Sequence, residues 1–146
     1  MVSLKKKYSR AIVPQYEPEY HVLEDAVKVF QEALKIKKTT LILLKRKVEI
    51  FGAVCGTSFL NSATNTISCH VYIHRHSTTL GTLILIAHEM VHAWQIDTNR
   101  PNKSSWEDEA EDLSLSMVGQ LQIKRFPDKS ESLVLAEVRM ARGWVH

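Results

Sequence analysis

Two histidines and a glutamate lie within one short stretch of the chain, at His88, Glu89 and His92. On a helix, residues four apart share one face about one turn from each other, so these two imidazoles can bind one metal ion. The spacing H-E-x-x-H is typical of zinc sites in which the glutamate acts as a general base. The alternative is a pair of hydrogen-bonded core histidines with Glu89 at a surface. The apolar residues around the motif favour the metal, because buried ionisable groups are costly unless something satisfies them.

A zinc site that keeps one coordination position open for water needs a third protein ligand. No histidine follows His92 until the terminal His146. Residues 107–112 instead contain five carboxylates, and a helix is predicted to begin there. These carboxylates are therefore the candidates for the third ligand, with a solvated acidic first turn as the alternative.

Helix geometry ranks these carboxylates. The apolar positions of the predicted helix define a buried stripe centred near Ala110, and at about 100° per residue Glu107 lies roughly 60° from that centre. Glu107 is thus the best inward carboxylate. Glu111 lies one turn further along, as an alternative ligand or as an acceptor that supports a histidine. The other three are predicted to face sideways or towards solvent: Glu109, Asp108 and Asp112.

This combination resembles the small zincin-type zinc metallopeptidases of the gluzincin kind. Residues 88–92 followed by 107–114 resemble the H-E-x-x-H plus E-x-E-A-x-x-F-A pattern of the ImmA/IrrE-like peptidases. In that pattern the first glutamate is the third zinc ligand, a position that Glu107 occupies here, whereas Leu113 and Ser114 replace the usual Phe and Ala. Residues 87–95 also resemble SprT-like domains, many of them phage-encoded, which use a third histidine that this chain lacks. The resemblance extends over about residues 20–126.

The predicted function is therefore that of a zinc-dependent peptidase. In it Zn²⁺ is held by His88, His92 and Glu107, and Glu89 is the general base for a metal-activated water that attacks a peptide bond. The expected partner is a protein or peptide substrate, paired with an edge of the sheet by β-addition. The alternative is a non-catalytic, zinc-stabilised binding or regulatory module that uses the basic N-terminal third.

The elements around the motif predict an α+β fold, with a small zincin-like single domain over residues 20–146 and an extended basic arm over residues 1–19. Helical periodicity over residues 20–36 predicts an N-terminal helix. The active-site helix is predicted from Ser77 or Thr78 to about residue 98, and it is followed by the glutamate helix to about 126 and a C-terminal helix to 142. Strands are predicted over 39–44, 47–51 and 66–74, in a mostly antiparallel sheet.

Strict alternation over residues 66–74 predicts a half-buried strand with Cys69 in the core. On its other face lie His70, Tyr72 and His74. If this strand forms the rim of the cleft, Tyr72 or His74 can donate a hydrogen bond to a tetrahedral oxyanion. A polar solvent face is the alternative, and the pattern favours it.

Composition excludes several other classes of protein. The chain has 146 residues, 45% hydrophobic residues and two cysteines, which argues against a disordered chain and against a disulfide scaffold. No apolar segment is long enough to span a membrane or to follow the basic N-terminus as a secretory signal, so a cytoplasmic location is predicted. Residues 1–50 contain 11 lysines and arginines against 6 acidic residues, a net charge of +5. A solvated, lysine-rich surface is favoured there, with nucleic acid or an acidic partner as the alternative.

Overall fold

A computed structural model of the chain describes residues 2–6, 19–46, 56–73 and 78–144. They form the following elements in chain order: β1 (Val2–Lys6), α1 (Tyr20–Leu34), β2 (Thr40–Arg46), β3 (Gly56–Asn61), β4 (Thr66–Ile73), α2 (Thr79–Asp97), a 3-10 turn (Lys103–Ser105), α3 (Trp106–Arg125) and α4 (Glu131–Trp144). The predicted α+β class is confirmed. The ends of the four predicted helices and of strands β2 and β4 agree with the structure to within two residues.

The four strands form one mixed sheet in the order β1-β2-β4-β3. Strand β2 is parallel to both β1 and β4, and only β3 and β4 are antiparallel. The prediction of a mostly antiparallel sheet is therefore wrong. Helix α1 carries the chain back between β1 and β2, so that both strands run in the same direction. Strand β3 precedes β4 in the chain but lies at the edge of the sheet, on the far side of β4. Strand β4 is therefore the direct neighbour of β2 and pairs with it in parallel.

The N-terminal residues also differ from the prediction of an extended arm. Residues 2–6 pair with β2 as an edge strand, with Val2 opposite Thr40. The Tyr20 hydroxyl at the start of α1 donates a hydrogen bond to the Leu4 carbonyl oxygen at 2.5 Å. These first residues therefore belong to the sheet. The rest of the predicted arm, 7–18, and the strand predicted over 47–51 lie outside the described residues.

Helix α2 lies at the centre of the core, between the sheet and the other helices. It contacts β3 and β4 on one side, and α1, α3 and α4 on the others. Its N-terminus is capped by Thr78, whose side-chain oxygen accepts a hydrogen bond from the Gly81 amide at 2.9 Å. Surrounded in this way, α2 is apolar on nearly its whole circumference, as a fully buried helix must be. Within the described part of the chain, no helix has the length and apolar character needed to cross a membrane.

Helices α1 and α2 pack against the strands, whereas α3 and α4 pack against α2. On β4 the residues that point towards the helices are fully buried: Ile67, Cys69, Val71 and Ile73. The residues between them are half-buried, which confirms the predicted alternation. Burial raises the pKa of the Cys69 thiol to about 12, so Cys69 is an unreactive core residue.

Candidate metal centre

His88 and His92 project from the same face of α2 towards α3. Their Nε2 atoms are 3.2 Å apart, and their side chains retain only 15% and 14% of their accessible surface. The intervening residues Met90 and Val91 are fully buried and fix this part of the helix in the core. The two imidazoles therefore converge on one point at the border between the core and solvent.

Glu107, in the first turn of α3, completes this cluster. Its Oε1 lies 2.8 Å from Nε2 of His92, and its Oε2 lies 3.2 Å from Nε2 of His88. One ligand atom from each of the three residues lies within 4.8 Å of the other two. The Glu107 side chain is 76% exposed, so the cluster opens directly to solvent. A metal ion bound there would therefore be accessible from solvent.

The turn between α2 and α3 places Glu107 opposite the histidines. Asn99 and Asn102 both adopt left-handed backbone conformations, with φ of 49° and 59°, which asparagine tolerates better than most residues. The Trp106 indole nitrogen donates a hydrogen bond to the Pro101 carbonyl oxygen at 3.3 Å. The short turn thus reverses the chain so that the first turn of α3 faces the last three turns of α2.

The other carboxylates of α3 have different partners. Glu111 forms a hydrogen-bonded ion pair with Arg142 of α4, and its charge only partly opposes the lowering of the His88 pKa by burial. Asp108 and Asp112 are exposed, as predicted. The structure thus brings Glu107 to the histidines as the ligand candidate, and places Glu111 in the contact between α3 and α4.

Gln95 fixes the orientation of His92 and was not identified from the sequence. It is fully buried, and its Nε2 donates hydrogen bonds to the Trp106 carbonyl oxygen and to the Glu109 carboxylate, both at 3.0 Å. Its Oε1 must therefore accept the remaining hydrogen bond, which comes from Nδ1 of His92 at 2.7 Å. In the neutral imidazole this leaves the lone pair on Nε2, directed at the cluster.

Arg100 anchors the other end of this chain of hydrogen bonds. Its guanidinium donates to both carboxylate oxygens of Glu109, at 2.6 to 3.1 Å. These hydrogen bonds hold the pKa of Glu109 below its usual value, so Glu109 is a carboxylate acceptor at neutral pH. A continuous path thus runs from Arg100 through Glu109 and Gln95 to His92.

We expect Gln95→Leu to lower the affinity for zinc by about 10- to 100-fold, the usual cost of losing a hydrogen bond to a metal-ligating histidine. Competition with a chromogenic zinc chelator measures this affinity, and circular dichroism identifies the folded fraction. Gln120→Leu is the matched control, because Gln120 is exposed on α3. Equal affinities in the two variants would show that Gln95 does not orient His92.

Burial lowers the pKa of His88, with a further lowering by the neighbouring His92. The carboxylates of Glu107 and Glu111 act in the opposite direction but are smaller causes. His88 is thus neutral at physiological pH, the protonation state in which an imidazole nitrogen binds a metal ion.

Glu89 lies on the sheet side of α2, next to both histidines. It is only 5% exposed, and Ser58 of β3 donates a hydrogen bond to its Oε1 at 2.8 Å. Burial raises the pKa of Glu89 to about 7, against opposing contributions from the Ser58 hydrogen bond and the charge of His92. A carboxyl group with this pKa gains and loses a proton readily near neutral pH, as a general base must.

Gly56, also on β3, makes room for this carboxyl group. A Cβ atom at residue 56 would lie 2.6 Å from Oε2 of Glu89 and 2.8 Å from its Cγ. Any larger residue at this position would have to displace the Glu89 side chain or the strand. Neither Gly56 nor Ser58 was identified from the sequence, since their contact with Glu89 depends on how β3 packs against α2.

We expect Gly56→Ala to lower the free energy of unfolding by about 1–3 kcal/mol, because the added methyl group must displace Glu89 or the strand. Gly143→Ala is the matched control, since a Cβ there meets no atom within 4 Å and alanine favours the helix. Urea unfolding of the two variants measures the difference. Equal stabilities would contradict the close contact between β3 and Glu89.

The structure does not bring Tyr72 to the cluster. Tyr72 alternates along β4 with the buried residues that face the helices, so it lies on the opposite face of the sheet. Cys69 marks the helix side, where its thiol contacts the Glu89 carbonyl oxygen at 3.6 Å. The prediction of an oxyanion-stabilising role is therefore wrong for Tyr72, and His74 lies outside the described residues. Which face α2 would cover could not be read from the alternation itself.

Comparison with known proteins provides no relative for this chain. No family model, no curated protein and no solved structure matches it.

Proposed function

We propose that this protein is a zinc-dependent peptidase. The observation that carries the proposal is the convergence of His88, His92 and Glu107, with the buried carboxyl group of Glu89 on the same helix as the two histidines. The resemblance of these residues to the gluzincin pattern supports the same function. Zinc content and peptide cleavage, compared between the wild type and variants of these four residues, test it.

The distances within the cluster suit a tetrahedral zinc ion. Two ligands bound at about 2.0–2.1 Å with tetrahedral geometry are about 3.3 Å apart. The two Nε2 atoms are 3.2 Å apart, and each lies near a different oxygen of Glu107: Nε2 of His92 is 2.8 Å from Oε1, and Nε2 of His88 is 3.2 Å from Oε2. The donor set of two imidazoles and one carboxylate is also the one found in catalytic zinc sites of this kind.

The protonation of His92 gives a second argument for a cation. Its Nδ1 proton is donated to Gln95, so in the neutral ring the Nε2 lone pair faces the Glu107 carboxylate at 2.8 Å. Two acceptors that face each other at this distance repel, unless the ring takes up a second proton or a cation lies between them. A divalent metal ion satisfies both acceptors and the lone pair of His88 at once.

A zinc ion at this position supplies a Lewis acid, which polarises a peptide carbonyl and lowers the pKa of water. The chain itself supplies the proton transfer. Glu89 takes a proton from the attacking water and delivers it to the leaving amine, and its pKa of about 7 suits both steps. Ser58 holds the carboxyl group in place through its hydrogen bond to Oε1.

The sheet edge next to Glu89 suits an extended peptide. Strand β4 is paired on both sides and cannot take up another strand, whereas β3 has β4 as its one partner among the described strands. Strand β3 also contacts α2, and Ser58 connects the strand to Glu89. We therefore place the substrate along β3 by β-addition.

The number of ligands favours an enzyme over a zinc-stabilised binding module. Structural zinc sites are usually closed by four protein ligands, whereas catalytic sites have three and leave a position open. Among the described residues the cluster has three members, and the exposed side of Glu107 leaves the fourth position towards solvent. A structural zinc ion would also have no use for the buried carboxyl group of Glu89.

We expect Glu107→Ala to weaken zinc binding by more than the ~10- to 100-fold that loss of an outer hydrogen-bond partner costs. Glu107 contributes a ligand atom, and its exposed side chain makes little other contact. Chelator competition measures the affinity, with Asp112→Ala as the matched control on the solvent face of α3. If Glu111→Ala proves the more damaging change, Glu111 is the third ligand and the assignment of Glu107 is wrong.

A further inference from the structure

The four strands of the sheet contain positively charged residues but no acidic residue. The chain contains 16 acidic residues, yet none of them occurs in β1, β2, β3 or β4. The same strands contain four cationic residues: Lys5, Lys6, Lys45 and Arg46. The first turn of α3, in contrast, carries a cluster of carboxylates. The strands therefore offer positive side chains to a polyanion, with no carboxylate among them to repel it.

We use "outer face" for the side of the sheet away from helix α2. On the inner strands β2 and β4 its residues are half-buried, whereas the residues of the opposite face are fully buried. Its members are Ser3, Lys5, Leu41, Leu43, Lys45, Thr57, Phe59, Asn61, Thr66, Ser68, His70 and Tyr72. The only charged residues among them are the two lysines.

Three rings lie together on the outer face. Phe59 and His70 are in edge-to-face contact with ring centres 5.3 Å apart, and His70 and Tyr72 are in edge-to-face contact at 6.4 Å. Phe59 is 44% exposed, one of the more exposed large apolar residues in the structure. These rings offer several apolar surfaces to a flat ligand.

The lysines flank the rings. Lys45 lies opposite Tyr72 in the register of β2 and β4, and its Nζ lies 3.3 Å from Nδ1 of His70. Lys5 lies in the row that leads through Leu43 to His70. Burial and the charge of Lys45 lower the pKa of His70, so its ring is neutral at physiological pH.

We propose that the outer face binds single-stranded nucleic acid, with Phe59, His70 and Tyr72 contacting bases and Lys5 and Lys45 contacting phosphates. Stacking on aromatic side chains combined with a positively charged surface is the general basis of single-strand binding. The bases of a duplex are stacked on one another and hidden from such rings, and a broad sheet does not enter a groove as a helix does. The proposal does not depend on the zinc site, which lies on the other side of the sheet.

The experiment measures the binding of the full chain to a fluorescently labelled single strand of about 16 nucleotides, of DNA and of RNA, by anisotropy over a range of salt concentrations. We expect saturable binding that weakens as salt increases. Phe59→Ala is expected to lower the affinity by about 5- to 150-fold, from the ~1–3 kcal/mol of one stacked base. Lys45→Ala is expected to reduce the salt slope by about 0.7.

Two control variants distinguish binding of the oligonucleotide at the outer face from its non-specific attraction to a protein with a positive net charge. Leu133→Ala removes an equally exposed apolar side chain on α4, and Lys124→Ala removes an exposed positive charge on α3. Both should bind as the wild type does. The proposal is overturned if the wild type does not bind, if the controls weaken binding as much as the outer-face variants, or if duplex DNA binds equally well. Sedimentation that shows a dimer, lost in Phe59→Ala, with no binding of the oligonucleotide would assign the outer face to a second copy of the chain instead.

Discussion

Replacement of both His88 and His92 by alanine is expected to reduce bound zinc from about one ion per chain to none. The two imidazoles contribute two of the three converging ligand atoms, and Glu107 alone, on an exposed side chain, offers a single carboxylate. Elemental analysis of the purified proteins measures this directly. The matched control is His21→Ala, because His21 is exposed on α1 and its loss should leave the zinc content unchanged.

Thermal unfolding provides a second measurement of the same prediction. A ligand that binds only the folded state stabilises it by about 4 kcal/mol at a concentration 1,000 times its Kd. Added zinc should therefore raise the Tm of the wild type and of His21→Ala, but not that of the double variant. Equal zinc contents, or equal shifts in Tm, would contradict the assignment of the metal centre.

The part of the site that lies on α2 and in the first turn of α3 could be predicted, because it depends on helix geometry. His88 and His92 converge through the helical repeat, and Glu107 was selected by its angle from the apolar stripe of α3. Gln95 could also have been found, since it lies three residues after His92 on the same face of a helix that is otherwise apolar. A buried amide in such a helix needs partners, and the nearest polar side chain on α2 is a predicted ligand.

The rest of the site depends on contacts between elements distant in sequence. Ser58 and Gly56 meet Glu89 because β3 packs beside α2, and nothing in the sequence of β3 specifies that neighbour. The misplacement of Tyr72 has the same origin. Alternation showed correctly that β4 has two different faces, but only the packing of α2 determines which face the site occupies.

The sheet shows the same division. The alternation in β4 and the apolar character of β2 are local signals, and both strands were predicted. Their parallel pairing depends on α1 as a crossover and on the edge position of β3. Pairing β1 with β2 likewise joins residues far apart in the chain. Residues 2–6 therefore gave no local signal of their partner and were predicted as part of an extended arm.

Glu89→Gln is expected to separate chemistry from structure. Glutamine has nearly the same shape as glutamate and can still accept the Ser58 hydrogen bond, so the fold and the zinc content should be retained. It cannot accept a proton from water, and the loss of general-base catalysis typically lowers turnover by about 10²- to 10⁴-fold. Mass spectrometry of a peptide library exposed to the wild type, with Glu89→Gln in parallel, identifies cleavages that depend on this carboxylate.

The same variant, Glu89→Gln, should lose activity but gain stability at high pH when the protein is free of metal. The pKa of Glu89 is raised from an ordinary 4.5 to about 7, so between these values the unfolded chain is ionised while the folded chain holds the proton. The free energy of unfolding of the wild type should therefore fall as the pH rises from 4.5 to 7, by up to ~3 kcal/mol. Glu89→Gln removes this cost, and urea unfolding at pH 5 and pH 8 should show a smaller loss of stability in the variant.

These measurements together distinguish a general base from a residue that only supports the site. If Glu89 is a general base, the Glu89→Gln variant binds zinc, is inactive, and is at least as stable as the wild type at pH 8 when metal-free. If Glu89 only supports the site, the variant loses zinc as completely as the double histidine variant does. If the wild type and Glu89→Gln cleave the same peptides at the same rate, the proposed peptidase mechanism is wrong, because the buried carboxyl group beside the metal ligands would then have no part in the reaction.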